Sequence, residues 1–234
     1  MNKELFIKEV SKLGIEVTNE KLDKLDKYYD LLIEWNEKIN LTAITKKEDV
    51  YLKHFYDSLT LFKAYDLNKN IKVLDAGTGA GFPGIVLKIF FDNIDITLVD
   101  ALAKRINFLN EVIRKLNLKN ITVIHSRIED FAKENREAFD LVTSRAVARL
   151  NILNELCLPL VKVEGYFIPM KASVEEEINE AKNSLKLINS ELKNIVNFSL
   201  PVENSTRNLV VIIKKKSTDI KYPRPFDKIK KRPL

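Results

Sequence analysis

The stretch that most limits what this chain can become is IKVLDAGTGAGFPGIVLKI, residues 71–89. An apolar run from Ile71 to Leu74 ends in Asp75, and a loop carrying Gly77, Gly79, Gly81 and Gly84 follows. Ile85, Val86, Leu87 and Ile89 then resume an apolar pattern that Pro83 can open as the first residue of a helix. The order is strand, glycine loop, helix. Four of the chain's six glycines sit in this loop, so this is where the backbone turns sharply or comes close to a ligand. A helix starting there also directs unpaired N–H groups at whatever fills the loop.

Three ligand chemistries compete for such a loop, and spacing separates them. A nucleoside-triphosphate loop requires Lys and then Ser or Thr after its last Gly, whereas Gly84 is followed by Ile85 and Val86. A dinucleotide fingerprint matches at Gly77 and Gly79, but Phe82 stands where close packing of helix on strand requires a third Gly. What remains is Asp-x-Gly-x-Gly-x-Gly after a first strand, the pattern of S-adenosylmethionine-dependent methyltransferases. That donor has no diphosphate; it carries a sulfonium, an amino-acid tail, a ribose and an adenine. The run Ile94 to Val99 reads as the next strand and ends in Asp100, where an acid can bind ribose hydroxyls. A nicotinamide enzyme places an acid similarly, so Asp100 alone does not choose between them. A bare turn is the plainer alternative, and the two strand-end acids framing the loop weigh against it.

From Ile71 onward strands and helices alternate, which predicts a mostly parallel sheet covered on both faces. Strands are expected at 71–75, 94–99, 121–125, 139–143 and 165–170, with helices near 83–91, 102–116, 127–136 and 148–160 between them. Ser173 and Glu176 form a capping box for a further helix to about Ile188. Strands at about 192–199 and 208–214 are joined only by PVENSTR, too short for a parallel crossover, so they pair antiparallel. The expected fold is therefore α/β: a Rossmann-like methyltransferase fold with a seven-stranded, mostly parallel sheet, one antiparallel strand and an N-terminal helical segment. Three parts are expected: a helical extension over 1–67, the methyltransferase domain over 68–216 and a basic tail over 217–234.

In the extension, Leu5, Phe6, Val10 and Leu13 recur at helical spacing before Gly14, and Thr18 caps a longer helix to about Lys38 whose apolar side includes Trp35. Trp35 reads as a packing residue. Thr45 with Glu48 makes a capping box for a third helix to about Lys63. His54 on that helix is either an ordinary half-buried histidine or, with Lys53, a group beside a nucleic-acid substrate.

Composition removes other classes. The chain opens MNKELFIKEV, charged and amphipathic and unlike a secretory leader, and no run approaches the roughly 20 apolar residues of a membrane span. Cys157 is the only cysteine, which forbids an internal disulfide and matches a reducing, cytoplasmic setting; in LNELCLPL it reads as a buried thiol. His54 and His125 are the only histidines, so no metal site is expected. The net charge is +6; from Lys214 to Leu234 nine Lys or Arg face two Asp, which gives +7 and leaves the rest near −1. Such a tail suits phosphate backbones, though a solvated basic terminus has the same composition.

The strings NLTAI, KHFYDSL, DAGTGAGFPGI, VDALAKRINFL and SRAVA, in this order and spacing, resemble the glucose-inhibited division protein B family over nearly the whole chain. That resemblance implies a bacterial methyltransferase acting on N7 of a guanine in 16S ribosomal RNA, with S-adenosyl-L-methionine as cofactor and the small ribosomal subunit as partner. It implies cofactor contacts at Gly77 and Phe82, with Gly79 and Gly81 shaping the turn, and further contacts at Asp100, Ile128, Glu129 and Arg145. Glu129 can accept a hydrogen bond from the adenine amine and Ile128 can pack on its face; apart from the resemblance, Ile128 could be core and Glu129 a solvated helix acid. The chain departs from the family pattern at Ala172, where a Gly is usual after Lys171, and in its tail YPRPFDKIKKRPL.

Guanine N7 carries a free lone pair and no proton at neutral pH, so the chemistry requires positioning and electrostatics and no catalytic triad is expected. Positioning candidates are Asn40, Lys53, His54, Arg145 and Lys171. The protein is expected to act as a monomer, and removal of the tail beyond Lys216 to weaken RNA binding while leaving the cofactor site intact. The rivals are methyl transfer to another RNA or to a protein, and an RNA-binding assembly factor that keeps the fold without the chemistry.

Overall fold

The computed structural model describes residues 1–234. Helices α1 (Lys3–Lys12) and α2 (Asn19–Ile39) form the N-terminal part. Thr18 caps α2 by accepting the Lys21 N–H at 3.3 Å, and Gly14 closes the first turn at φ +80°. The third helix is continuous but changes pitch: α3 (Lys47–Val50), a π-helical turn (Tyr51–Tyr56), α4 (Asp57–Leu59) and a 3-10 turn (Thr60–Lys63). Single π turns insert one residue and re-aim the side chains around them. Here His54 lies within that turn and Asp57 directly after it, with Asp57 buried.

The seven strands are β1 (Lys72–Ala76), β2 (Asp95–Asp100), β3 (Ile121–His125), β4 (Phe139–Arg145), β5 (Val161–Lys171), β6 (Ser190–Ser199) and β7 (Thr206–Lys214). They form one sheet in the order β3-β2-β1-β4-β5-β7-β6. The first five are parallel, and β7 runs antiparallel to both β5 and β6. Crossover helices make the parallel part possible: α5 (Gly84–Phe90), α6 (Ala103–Lys115), α7 (Ile128–Glu134) and α8 (Leu150–Cys157). A further helix, α9 (Glu175–Leu187), leads to the hairpin, and α10 (Phe226–Lys231) ends the chain.

Alternation along each strand feeds two cores. Val73, Ile96, Leu98 and Leu141 pack with Phe6, Tyr28, Leu87 and Phe108 on one face, whereas Leu74, Val99 and Val142 pack with Phe131, Leu153, Ala181 and Ile229 on the other. Cys157 is fully buried in the second core, and burial holds its thiol well above the usual range. Trp35 lies 5.7 Å from Phe108, ring to ring, as a packing residue. No helix is long and apolar enough to cross a membrane.

Two expected capping boxes do not form. The cap position of α3 falls on Lys46 and that of α9 on Val174, neither with a side-chain bond. Each helix begins one residue later than its box requires, so the Thr45 and Ser173 hydroxyls do not stand at the cap position. The Thr45 carbonyl accepts from the Tyr29 hydroxyl at 3.0 Å and the Glu48 carbonyl from the N-terminal ammonium at 2.7 Å. Strand β5 begins at Val161 rather than near 165, because Glu164 (φ +63°) and Gly165 absorb a register shift against β4.

The basic C-terminal segment is not a free tail. Lys214 has no exposed surface and places Nζ 3.0 Å from both the Leu158 carbonyl and Glu137 Oε1. Tyr222 and Ile229 are buried in the second core, and Arg224 pairs with Glu155 at 2.6 Å. Buried apolar residues spaced among the lysines fold the segment back, and net charge alone could not reveal them.

Candidate functional site

Strand β1 leads to β2 on one side while β4 lies on the other, so the sheet's order reverses between β1 and β4. Open α/β sheets bind ligands beyond the strand ends at that point. Two cavities occupy this edge and share Ala146.

The first, about 310 Å³, lies under the glycine loop and is lined by Gly77, Asp100, Arg105, Ile128, Glu129 and Phe226, among others. Gly77 stands at φ +72°, and a Cβ there would lie 2.6 Å from Val147 Cγ2, which also lines the cavity. The loop's own N–H groups are largely spent inside the protein. Gly77 and Thr78 donate to the Val99 carbonyl at 2.9 and 3.1 Å, Gly79 donates to Asp100 Oδ2 at 2.9 Å, and Gly81 and Phe82 donate to the Thr78 carbonyl. At the start of α5, Gly84 donates to Asp75 Oδ2 at 2.8 Å, so the helix is capped from within. A diphosphate needs a concave row of free N–H groups, and this loop does not offer one.

Two buried acids frame the loop. Asp100 is 4% exposed; Oδ2 also accepts from Arg105 Nη1 at 3.1 Å and Oδ1 from the Leu102 N–H at 3.0 Å. Asp75 is fully buried, and Thr78 Oγ1 donates to its Oδ2 at 2.6 Å while Oδ1 has no partner. Burial pushes its carboxyl up to about 6, against the opposing pull of Thr78, Gly84 and Arg145. Glu129, 6% exposed, stands in the first turn of α7 beside Ile128.

The second cavity, about 390 Å³, is lined by Lys53, His54, Asp57, Arg145, Lys171 and Arg207, with Ile44 and Met170. Asp57, 3% exposed, is its hub: Oδ2 accepts from Arg145 Nη1 at 3.0 Å and Oδ1 from Arg207 Nε at 3.1 Å. Arg145 also donates to the Lys53 carbonyl at 3.0 Å and lies 5.2 Å over the Phe82 ring. Its Nη2 is 3.2 Å from His54 Nδ1, which must therefore accept; Nε2 then carries the proton and donates to Thr42 Oγ1 at 2.9 Å. Burial, with the Arg145 charge adding to it, pulls His54 down to about 3, so the ring is neutral. It stacks on Phe82 with centroids 4.4 Å apart.

The expected residues thus divide. Gly77, Asp100, Ile128 and Glu129 line the first cavity; Lys53, His54, Arg145 and Lys171 line the second. Gly79 reaches the first through its bond to Asp100, and Phe82 lines neither but forms the partition beneath His54 and Arg145. Asn40 lines neither cavity and caps α2 in the left-handed conformation (φ 50°). Lys53 and Lys171 are tied to Glu203 and Glu177, at 2.6 and 2.7 Å. Sequence reasoning missed Asp57, Arg207, Thr42 and Phe226. Asp57 was within reach, since it stands three residues after His54 in KHFYDSL; Arg207 and Phe226 carry no local signal. Ala146, the residue shared by the two cavities, has φ +55°, in the left-handed region.

Residues 21–210 match the family described as rRNA small subunit methyltransferase G. Proteins named ribosomal RNA small subunit methyltransferase G from Bacillus cereus and Bacillus thuringiensis are each 50% identical over 227 residues, covering 96% of this chain and 95% of theirs. Among solved structures, a SAM-dependent methyltransferase from Aquifex aeolicus superposes with a TM-score of 0.54 at 20% identity, covering 72% of this chain and 94% of that one. TYW2 from M. jannaschii, solved in complex with AdoMet, gives 0.53 at 19% identity over 64% of this chain and 70% of that one. Both share the fold.

Proposed function

The chain belongs to the rRNA small subunit methyltransferase G family, and from that premise we propose that it methylates N7 of a guanine in the 16S RNA of the small ribosomal subunit, using S-adenosylmethionine. The observation that carries this assignment is the pair of cavities meeting at Ala146, one framed by bare backbone with its acids Asp100 and Glu129 matched by Arg105 and Arg127, the other cationic.

The first cavity fits the donor. Asp100 accepts from the ribose hydroxyls, Ile128 packs on the adenine face and Glu129 takes the adenine amine. Gly77 leaves the space that a side chain would fill, and Gly79 holds Asp100 in place. A loop with most of its N–H groups already bonded suits a ligand without a diphosphate. When bound, S-adenosylmethionine supplies a methyl group on a positively charged sulfur.

The second cavity holds the substrate base. N7 has a lone pair and no proton to lose, and a neutral His54 whose Nδ1 already accepts from Arg145 is not asked to be a base. Arg145 and Arg207, aligned by Asp57, place positive charge where the guanine carbonyl and the flanking phosphates arrive. Phe82 keeps His54 and Arg145 at the border between the cavities. Lys53 and Lys171 stiffen the walls, and catalysis is by position and exclusion of water. The protein acts as a monomer in the cytoplasm.

The test is methyl transfer to small subunits from a strain lacking this gene, with the modified nucleoside identified after digestion. N7-methylguanosine in 16S RNA is expected. Label in transfer RNA or protein instead would move the substrate, and a Gly77 or Asp100 variant that still complements the deletion would make the protein an assembly factor.

A further inference from the structure

Beyond β7 the chain returns across the α7–α8 face and is fastened there. Arg136 donates to the carbonyls of Thr218 and Tyr222, each at 2.6 Å. Glu155 on α8 has no exposed surface, and it accepts from Arg224 three times: the backbone N–H at 2.9 Å, Nε at 2.7 Å and Nη2 at 2.6 Å. A carboxylate buried without such a partner is strongly destabilising, so Arg224 and the residues around it have one place to lie. Ile229, fully buried, fixes the far side of α10. Between these two anchors Phe226, the first residue of α10, reaches the first cavity and stands there with Ile128, Glu129 and Leu156.

We propose that the C-terminal segment is a built part of the cofactor site and that Phe226 closes the adenosine end of the cavity. The proposal rests on the assignment of the first cavity to the donor. Ile128 and Leu156 give the adenine apolar surface, and Glu129 gives its amine an acceptor. None of them supplies an aromatic surface, and a purine set against one gains both burial and ring contact. Phe226 provides it from a segment outside the sheet. An affinity for adenosine-bearing ligands that depends on the last helix of the chain follows.

The experiment is calorimetry with S-adenosylhomocysteine on the full chain and on Phe226→Ala, Phe226→Tyr and Asp100→Ala, with the melting temperature of each unliganded protein. Phe226→Ala is expected to bind roughly tenfold more weakly with a small fall in melting temperature from its lost packing on the second core, Phe226→Tyr to match wild type in both, and Asp100→Ala to lose binding. Wild-type affinity in Phe226→Ala beside loss in Asp100→Ala would overturn the role of Phe226 and leave the cavity's assignment standing. Equal weakening in Phe226→Ala and Phe226→Tyr with lowered melting temperatures would reduce the residue to packing and overturn it as well. Undiminished binding in Asp100→Ala would instead remove the assignment on which the proposal rests.

Discussion

The two cavities at the β1–β4 edge are neighbours built in opposite ways. The first takes most of its lining from the ends of β1, β2 and β3 and the residues just after them, where each functional residue belongs to a local strand-to-helix unit. The second draws on the π-helical turn, the ends of β4 and β5 and the β7 strand, so that Asp57 meets an arginine 150 positions away. In the first, Asp100 and Glu129 are matched by Arg105 and Arg127 beside backbone whose N–H groups are largely bonded; the second is a ring of cations around one buried acid. A polyanionic substrate finds the environment of opposite sign in the second.

The sharpest way to break the comparison is to damage each cavity and read both. Gly77→Leu puts a side chain at φ +72° into Val147 and the cavity. Calorimetry is expected to show no binding of S-adenosylmethionine, while gel-shift affinity for small-subunit RNA stays near wild type. Asp57→Asn strikes the other side. Leaving Arg145 and Arg207 without their shared charge is expected to lower stability by about 3 kcal/mol in urea unfolding and to cut kcat/KM for methyl transfer. The dissociation constant of the donor should not move.

A pH profile sharpens the second cavity further. His54 titrates near 6.5 when unfolded and near 3 when folded, so the unfolded chain binds the extra proton between these values. The neutral ring's contribution is complete above about pH 6.5 and is lost as pH falls toward 3. His54→Gln is expected to lose less stability than wild type over that window, as measured by denaturant midpoints. The smallest effect belongs to the exposed Lys230 and Lys231 on α10. Replacing both with Ala is expected to weaken RNA binding modestly and to reduce the slope of log affinity against log salt by roughly one per lost phosphate contact, with donor affinity unchanged.

The same contrast explains what was legible in the sequence. The glycine loop, Asp100 and the alternation of strands and helices are local patterns, each fixed by a few adjacent residues, and the sheet with its one antiparallel strand follows from them. His54 and Arg145 were visible as candidates and Asp57 lay within reach beside His54, but its pairing with Arg145 across 88 positions leaves no periodic trace. The capping boxes at Thr45 and Ser173 fail because each helix begins one residue beyond the position that its box requires, a boundary that a few residues of local sequence do not fix. The tail misled by its charge. Its lysines and arginines dominate the count, while Tyr222, Ile229 and the Arg224–Glu155 pair determine where it lies, and its removal is now expected to disturb the first cavity.

The central claim is that the loop from Gly77 to Gly84 shapes a site for a sulfonium nucleoside and not for a diphosphate. Titrating the purified full-length protein in a calorimeter with S-adenosylmethionine, NAD and ATP in turn tests it most directly. Saturable heat with the first ligand and none with the other two is the expected result. Binding of NAD or ATP with no response to S-adenosylmethionine would contradict it.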